Sequence, residues 1–248
     1  MDLVMAFADE ARSRLDQLVT GQLPAIRQAG ALIAESVRAG GVVHAYGTGH
    51  SEAVALEVAG RAGGLIPTNR LTLRDPVVLG SADPAGFDPL AERDPRTAHE
   101  VLALHTIEKS DAFVIASNSG GNGSTVEMAR LVKERGLPLI AITSLAHSGA
   151  ITSRHPSGER LFELADIVID NLAPYGDAVL TTEHGAVCGI SSITSALAVQ
   201  LMVAEAIGLL LADGAIPPVY LSANIPGSDA RNDALVARYA GRIRTGAL

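Results

Sequence analysis

A chain of 248 residues that is 48% hydrophobic has enough apolar content for one sizeable core. Its net charge of −8 argues against nucleic acid as a partner, but not against a phosphorylated small molecule held by backbone N–H groups and hydroxyls. One cysteine, Cys188, excludes an internal disulfide. The start has no signal-peptide pattern, so the chain is expected in the cytoplasm, away from membranes.

In chain order, residues 2–20 and 22–39 predict two amphipathic helices, ended by Gly40-Gly41. Val42–Tyr46 predicts a strand, Gly47–Ser51 a tight loop and Glu52–Ala62 a helix, with a weaker strand at Leu65-Ile66. Residues 68–96 are rich in proline, aspartate and glycine and predict a long loop of functional character. The strand–loop–helix unit then returns as Asp111–Ala116, Ser117–Asn122 and Gly123–Arg135. Strand Pro138–Ile142 follows with loop Thr143–Ser148, and strand Asp166–Asp170 comes after the turn His155–Gly158. The apolar stretch Ala196–Ala212, interrupted by Gln200 and Glu205, reads as the buried part of a long helix, Ile190–Leu211. Cys188 before it is expected as a small buried side chain. An extended tail, Ile216–Asn224, and a closing helix near Asp229–Arg242 complete the chain. Strands alternating with helices predict an α/β fold, a parallel sheet covered on both faces.

Ligands of such sheets bind beyond the carboxyl ends of the strands. Three loops leave those ends here, all rich in Ser, Thr, Gly and Asn. Glycine allows close backbone approach, hydroxyls donate to phosphate oxygens, and the following helix adds partial positive charge. Each loop alone is also ordinary turn chemistry. Only two lysines occur, Lys109 and Lys133, neither in a glycine-rich loop, which disfavours a Schiff base or a P-loop. Gly47-Thr48-Gly49 opens like a dinucleotide fingerprint but has Glu52 for its third glycine and Thr68-Asn69 where an acid is needed. Gly49–Ala53 is like a nucleophile elbow without its second glycine; Ser51, Asp170 and His184 follow the order of a hydrolase triad, a rival reading.

Val42–Ser51 and Ala116–Thr125 together resemble the sugar isomerase (SIS) domain family. The style is that of small bacterial SIS proteins similar to phosphoheptose isomerase and N-acetylmuramic acid 6-phosphate etherase. The resemblance implies a three-layer αβα sandwich with a five-stranded parallel sheet. It implies one SIS-type unit over 1–248, with the helical pair at 1–40 and a C-terminal extension at 216–248. It further implies a homodimer or homotetramer with sites near subunit boundaries, and a sugar phosphate as ligand. Ser51, Ser117, Ser119, Asn122 and Ser124 fall on or near the family's phosphate contacts. Thr48, His50, Asn118, Ser144 and His147 join them as candidate substrate contacts. The family's carboxylate base sits on the helix after the first loop. Arg61 occupies that position here, and Glu57 stands one turn earlier. Glu57 either takes over as base or pairs with Arg61.

Proton abstraction α to a carbonyl needs a carboxylate or histidine of tuned pKa. Besides Glu57, the candidates are Glu183 and His184; Glu92 enters only if the long loop closes. Glu57, His50 and His184 lack metal-site spacing, so neither a metal nor another cofactor is expected. The expected activity is isomerisation or β-elimination of a sugar 6-phosphate, such as the aminosugar N-acetylglucosamine 6-phosphate. A non-catalytic phosphosugar sensor is the alternative.

Overall fold

The computed structural model of the chain describes residues 2–80, 82–83, 88 and 90–244. Part of the long loop and the last four residues of the C-terminal extension lie outside them. The first element is one continuous helix, α1 (Leu3–Arg38), and not the expected pair. Gly21 and Pro24 suggest a break, and an interior proline costs about 3 kcal/mol. The helix continues because Leu18, Ile26, Ala29, Ile33 and Val37 form one buried stripe along it that a break would split.

Next come β1 (Val43–Gly47), a 3-10 turn Gly49–Ser51, α2 (Glu52–Val58), β2 (Thr68–Leu71) and a short α3 (Asp75–Val78). The second strand therefore lies just beyond Leu65-Ile66, inside the segment expected to be loop. Leu65 instead makes an isolated antiparallel bridge with Val219 of the tail. β2 escapes sequence reading because it is an edge strand with little apolar pattern. A 3-10 turn Ala91–Arg93 and α4 (Arg96–Leu102) follow. Then come β3 (Ala112–Ala116), α5 (Gly123–Glu134), β4 (Leu139–Thr143), α6 (Leu145–Ser148), α7 (Leu161–Leu164) and β5 (Ile167–Asp170). A hairpin of β6 (Ala178–Thr182) and β7 (Gly185–Gly189) precedes α8 (Ser191–Ala212) and α9 (Ser228–Val236).

Five parallel strands pair in the order β2-β1-β3-β4-β5. Alternate residues feed two layers. Val43, Ala45, Val114, Ile140, Ile142 and Ile169 pack under α1, α2 and α8. Tyr46, Leu71, Phe113, Ile115, Leu139 and Ala141 pack under α4, α5 and α7. This is the αβα sandwich with a five-stranded parallel sheet. The chain runs outward to β2 on one side of β1 and to β3 on the other. The switch point, where ligands of this topology bind, lies between β1 and β3.

Among the described residues, α8 alone is long and apolar enough to cross a membrane by length and composition. Here its buried side packs on α1 and the sheet. The two helices meet at Gly30, where a methyl would stand 2.6 Å from Glu205 Cβ and 2.8 Å from the Met202 carbonyl. Gly30→Ala is expected to cost about 1–3 kcal/mol through overpacking. A lowered urea midpoint at unchanged slope checks it; an unchanged midpoint contradicts the close approach.

The tail covers the amino ends of β1 and β2, with Tyr239 against Val42 and Ile66. There Asp111, fully buried, accepts from the Val42 N–H at 2.8 Å and the Glu108 N–H at 2.8 Å. It also accepts from Arg242 at 2.6 Å and contacts His44 Nε2 at 3.1 Å. This network lies at the sheet end opposite the loops.

Candidate functional site

Both loops at the switch point are shaped by glycine. Gly49 and Gly120 take φ of +55° and +61°, a conformation other residues rarely adopt. Between the loops lies a cleft lined by His50, Ser51, Ser117, Asn118, Asn171, Ser191, Ser192 and Ser195, with Val54, Ala116 and Ile142 as its apolar wall. Its walls stand close, leaving room for about one water. A ligand larger than a water therefore enters by parting them or lies across the mouth. No carboxylate, lysine or arginine is in the lining.

The amides of the cleft are linked to one another. Asn171 Nδ2 donates to Asn118 Oδ1 at 3.1 Å and to Ser195 Oγ at 3.2 Å. Ser117 Oγ accepts from the Gly120 N–H at 3.1 Å and so braces its own loop. The N-terminus of α5 has no side-chain cap, and its first residues Gly123, Ser124 and Thr125 are buried. The N-terminus of α8 is already occupied by Asp177, which accepts from the N–H groups of Ile190 and Ser191 and from Ser191 Oγ.

The predicted residues divide. His50, Ser51, Ser117 and Asn118 line the cleft, while Thr48, Ser119 and Asn122 sit in the same loops outside the lining. Asn122 is buried, with Oδ1 taken by Arg154 at 2.6 Å; Arg154 thus sets a cation at the edge of this loop.

Ser124 and Ser144 do not serve as free ligand hydroxyls. Ser124, fully buried, accepts from Tyr46 Oη at 3.0 Å and donates to the Glu92 carbonyl at 2.9 Å. Burial pushes the Tyr46 hydroxyl well above its ordinary pKa, keeping it a donor. Ser144, also buried, donates to the Ala173 carbonyl at 2.6 Å and caps His147 N–H at 3.0 Å. His147 Nδ1 accepts from the Gly176 N–H at 3.2 Å.

Glu57 is held by Arg61 and by Gln200 Nε2, the latter at 2.6 Å, and is not in the cleft lining. Glu183 and His184 stand at the exposed tip of the β6–β7 hairpin, 3.3 Å from each other and absent from the cleft lining. β7, on the far side of this tip, is exposed at every position. The hydrolase triad is not assembled: His184 is on that tip, and Asp170 Oδ1 accepts from the Leu145 and Leu172 N–H groups. Cys188, expected buried, is exposed on β7. The described residues contain no group of three or more ligands able to hold a metal.

Glu92 reaches the first loop with its carboxylate. Its Oε2 accepts from Thr48 Oγ1 at 3.0 Å, and it stands beside Gly49. Its own carbonyl holds Ser124, and the next carbonyl, of Arg93, packs on Gly123 at the start of α5. One short turn thus ties both loops together. Sequence reasoning gave it little weight because the segment has no periodicity. Asn171 was also missed, although a polar residue directly after a parallel strand was a usable signal. The Ser191-Ser192…Ser195 hydroxyls at the start of α8 were another.

This architecture, with paired hydroxyl loops astride the switch point, is that of the SIS domain. A family model described as SIS domain matches residues 6–144, and the chain belongs to that family. Within it, the chain is similar to UPF0309 proteins. That of Listeria monocytogenes serovar 1/2a is 40% identical over 243 residues, covering 96% of this chain and 98% of the relative. That of Geobacillus sp. strain WCH70 is 33% identical, covering 97% of each. Among solved structures, phosphoheptose isomerase from Neisseria gonorrhoeae superposes with a TM-score of 0.56 at 16% identity, covering 84% of this chain and 98% of that one. The sugar isomerase domain of an RpiR transcription factor from Sphaerobacter thermophilus gives 0.51 at 18%, covering 96% and 97%. At these identities the likeness is one of fold.

Proposed function

We propose that this chain binds a sugar 6-phosphate across the β1 and β3 loops and moves a proton at C2 of the sugar. The observation that carries this is the Glu92 carboxylate hydrogen-bonded to Thr48, in the same loop that supplies His50 and Ser51 to a cleft lined by hydroxyls and amides. The phosphate is assigned to the hydroxyls of Ser51 and Ser119 and the uncapped start of α5. Glu92, whose carboxylate is bonded to Thr48 of the first loop, is assigned as base in place of Glu57, Glu183 or His184. It removes the C2 proton of the open-chain sugar. Return of a proton to C1 gives isomerisation, and loss of a C3 substituent such as water gives β-elimination. An aminosugar phosphate such as N-acetylglucosamine 6-phosphate fits the amide-rich cleft. A cytoplasmic, homodimeric or homotetrameric protein accords with a charged metabolite as ligand and with exposed apolar residues on α8, Ile193 and Leu211.

The test is incubation of the pure protein with hexose and N-acetylhexosamine 6-phosphates in D₂O, followed by NMR. The expected result is deuterium at C2 or new product for one of them. A second reading, a phosphosugar sensor, is favoured by the absence of any carboxylate in the cleft lining. Binding without exchange or product would establish the sensor and end the enzyme reading.

A further inference from the structure

We propose that Tyr175, backed by His147, is a stacking shelf at the mouth of the cleft that takes the C–H face of the sugar ring. This rests on the sugar-phosphate reading above and extends it, because sugar and phosphate recognition then fall to different residues.

Tyr175 is out of place as a packing residue. Tyr46 and Tyr239 are buried, whereas Tyr175 is 66% exposed. Its ring is nonetheless held: it lies on the His147 imidazole with centroids 4.8 Å apart and planes tilted by 32°. His147 is itself fixed at both ends, by its N–H on Ser144 Oγ and by the Gly176 N–H on its Nδ1. The weakly positive C–H face of a pyranose seeks the negative face of an aromatic ring, and the exposed face of Tyr175 offers one.

The segment that carries Tyr175 is pinned to the cleft on both sides. Asn171 lines the cleft and bonds Asn118 and Ser195. Asp177 grips Ser191, also in the lining, through its N–H at 2.8 Å and its Oγ at 2.9 Å. Tyr175 lies four residues after Asn171 and two before Asp177, on the segment that these two anchors tie to the cleft.

The backbone here is strained. Among the described residues, three that are not glycine take positive φ: Leu172 at 60°, Asp177 at 72° and Cys188 at 65°. The first two bracket Tyr175. Leucine in this conformation is an outlier that persists only where surrounding contacts over-determine it, and such strain gathers at ligand sites. Leu172 is held in that conformation by its N–H on Asp170 Oδ1, by Arg14 on its carbonyl and by its side chain against the core. These contacts fix the backbone that carries Tyr175. The cleft's narrow interior is consistent with this, since a sugar ring stays at the mouth unless the walls part.

Calorimetric titrations of wild type, Tyr175→Ala and Tyr175→Phe test the shelf. The ligands are N-acetylglucosamine 6-phosphate, glucose 6-phosphate, fructose 6-phosphate and inorganic phosphate. Tyr175→Ala is expected to weaken the bound sugar phosphate roughly tenfold and to leave inorganic phosphate unchanged. Tyr175→Phe is expected to keep the sugar affinity. The chain has no tryptophan, so tyrosine emission is readable, and its change on sugar binding should vanish in Tyr175→Phe. Unchanged sugar affinity in Tyr175→Ala, or equal weakening of both ligand types, overturns the shelf alone. A change in oligomeric mass in Tyr175→Ala without a change in sugar affinity also overturns it, as Tyr175 would then be a subunit contact. Wild-type protein that binds none of the four sinks the sugar-phosphate reading and the shelf together.

Discussion

Glu92→Gln is expected to slow C2 exchange of the sugar phosphate by about 10²–10⁴-fold while ligand binding persists. Glutamine keeps the shape of the side chain, and its amide oxygen still accepts from Thr48, so the turn that ties the two loops stays in place. It cannot take a proton. Glu57→Gln serves as the comparison. Its carboxylate is bound by Arg61 and Gln200, so its loss is expected to leave exchange near the wild-type rate. Exchange followed by NMR decides between them. If Glu57→Gln stops exchange and Glu92→Gln does not, the base is the carboxylate one turn before Arg61, as the sequence alone permits.

The second large effect is on stability. Asp111→Ala is expected to cost about 3–5 kcal/mol, because it strands partners of a buried charge. Arg242 and His44 lose that partner, and the N–H groups of Val42 and Glu108 lose their acceptor. The same cluster sets the acid limit of the fold. Burial holds the His44 pKa below its ordinary 6.5, against the opposing pull of Asp111. The unfolded chain therefore takes up a proton near pH 6.5 that the folded chain refuses, and stability falls as pH drops below that value. Burial pushes the Asp111 carboxyl up, but hydrogen bonds from His44 and from the N–H groups of Glu108 and Val42 outweigh it. The net pKa lies below the ordinary 3.8. Its contribution is present above 3.8 and lost as pH falls through the depressed folded pKa. Both shifts have one sign. Urea midpoints should decline from pH 7 toward pH 5, and further below pH 4. A profile flat from pH 7 to pH 5 would contradict the buried, neutral His44.

The sheet was legible because apolar strands announce themselves. Val43–Gly47, Ala112–Ala116 and Leu139–Thr143 are buried at every position, and each ends in a loop of small polar residues. The glycine punctuation around them gave the loop positions of the site as well. Three things were not legible. Continuity of α1 through Pro24 depends on a partner helix that lies more than 150 residues away in sequence. Polar edge strand β2 has no pattern distinguishing it from loop. The Glu183-His184 pair reads as a site from chemistry alone, but the hairpin carries it out to solvent. Conversely, Glu92 lies in a segment without periodicity, and only the fold brings it to Thr48. Sequence spacing indicates which chemistry a loop supports; the carboxylate that joins it is chosen by tertiary packing.

A phosphate site formed jointly by the β1 and β3 loops is tested most directly by titration of wild type and Ser119→Ala with N-acetylglucosamine 6-phosphate, glucose 6-phosphate and fructose 6-phosphate, each beside its unphosphorylated sugar. At least one phosphorylated sugar is expected to bind and its unphosphorylated counterpart is not, and Ser119→Ala is expected to weaken the binding by roughly tenfold, as loss of a hydrogen bond to a charged group implies. Equal binding of sugar and sugar phosphate, or full affinity in Ser119→Ala, would contradict it.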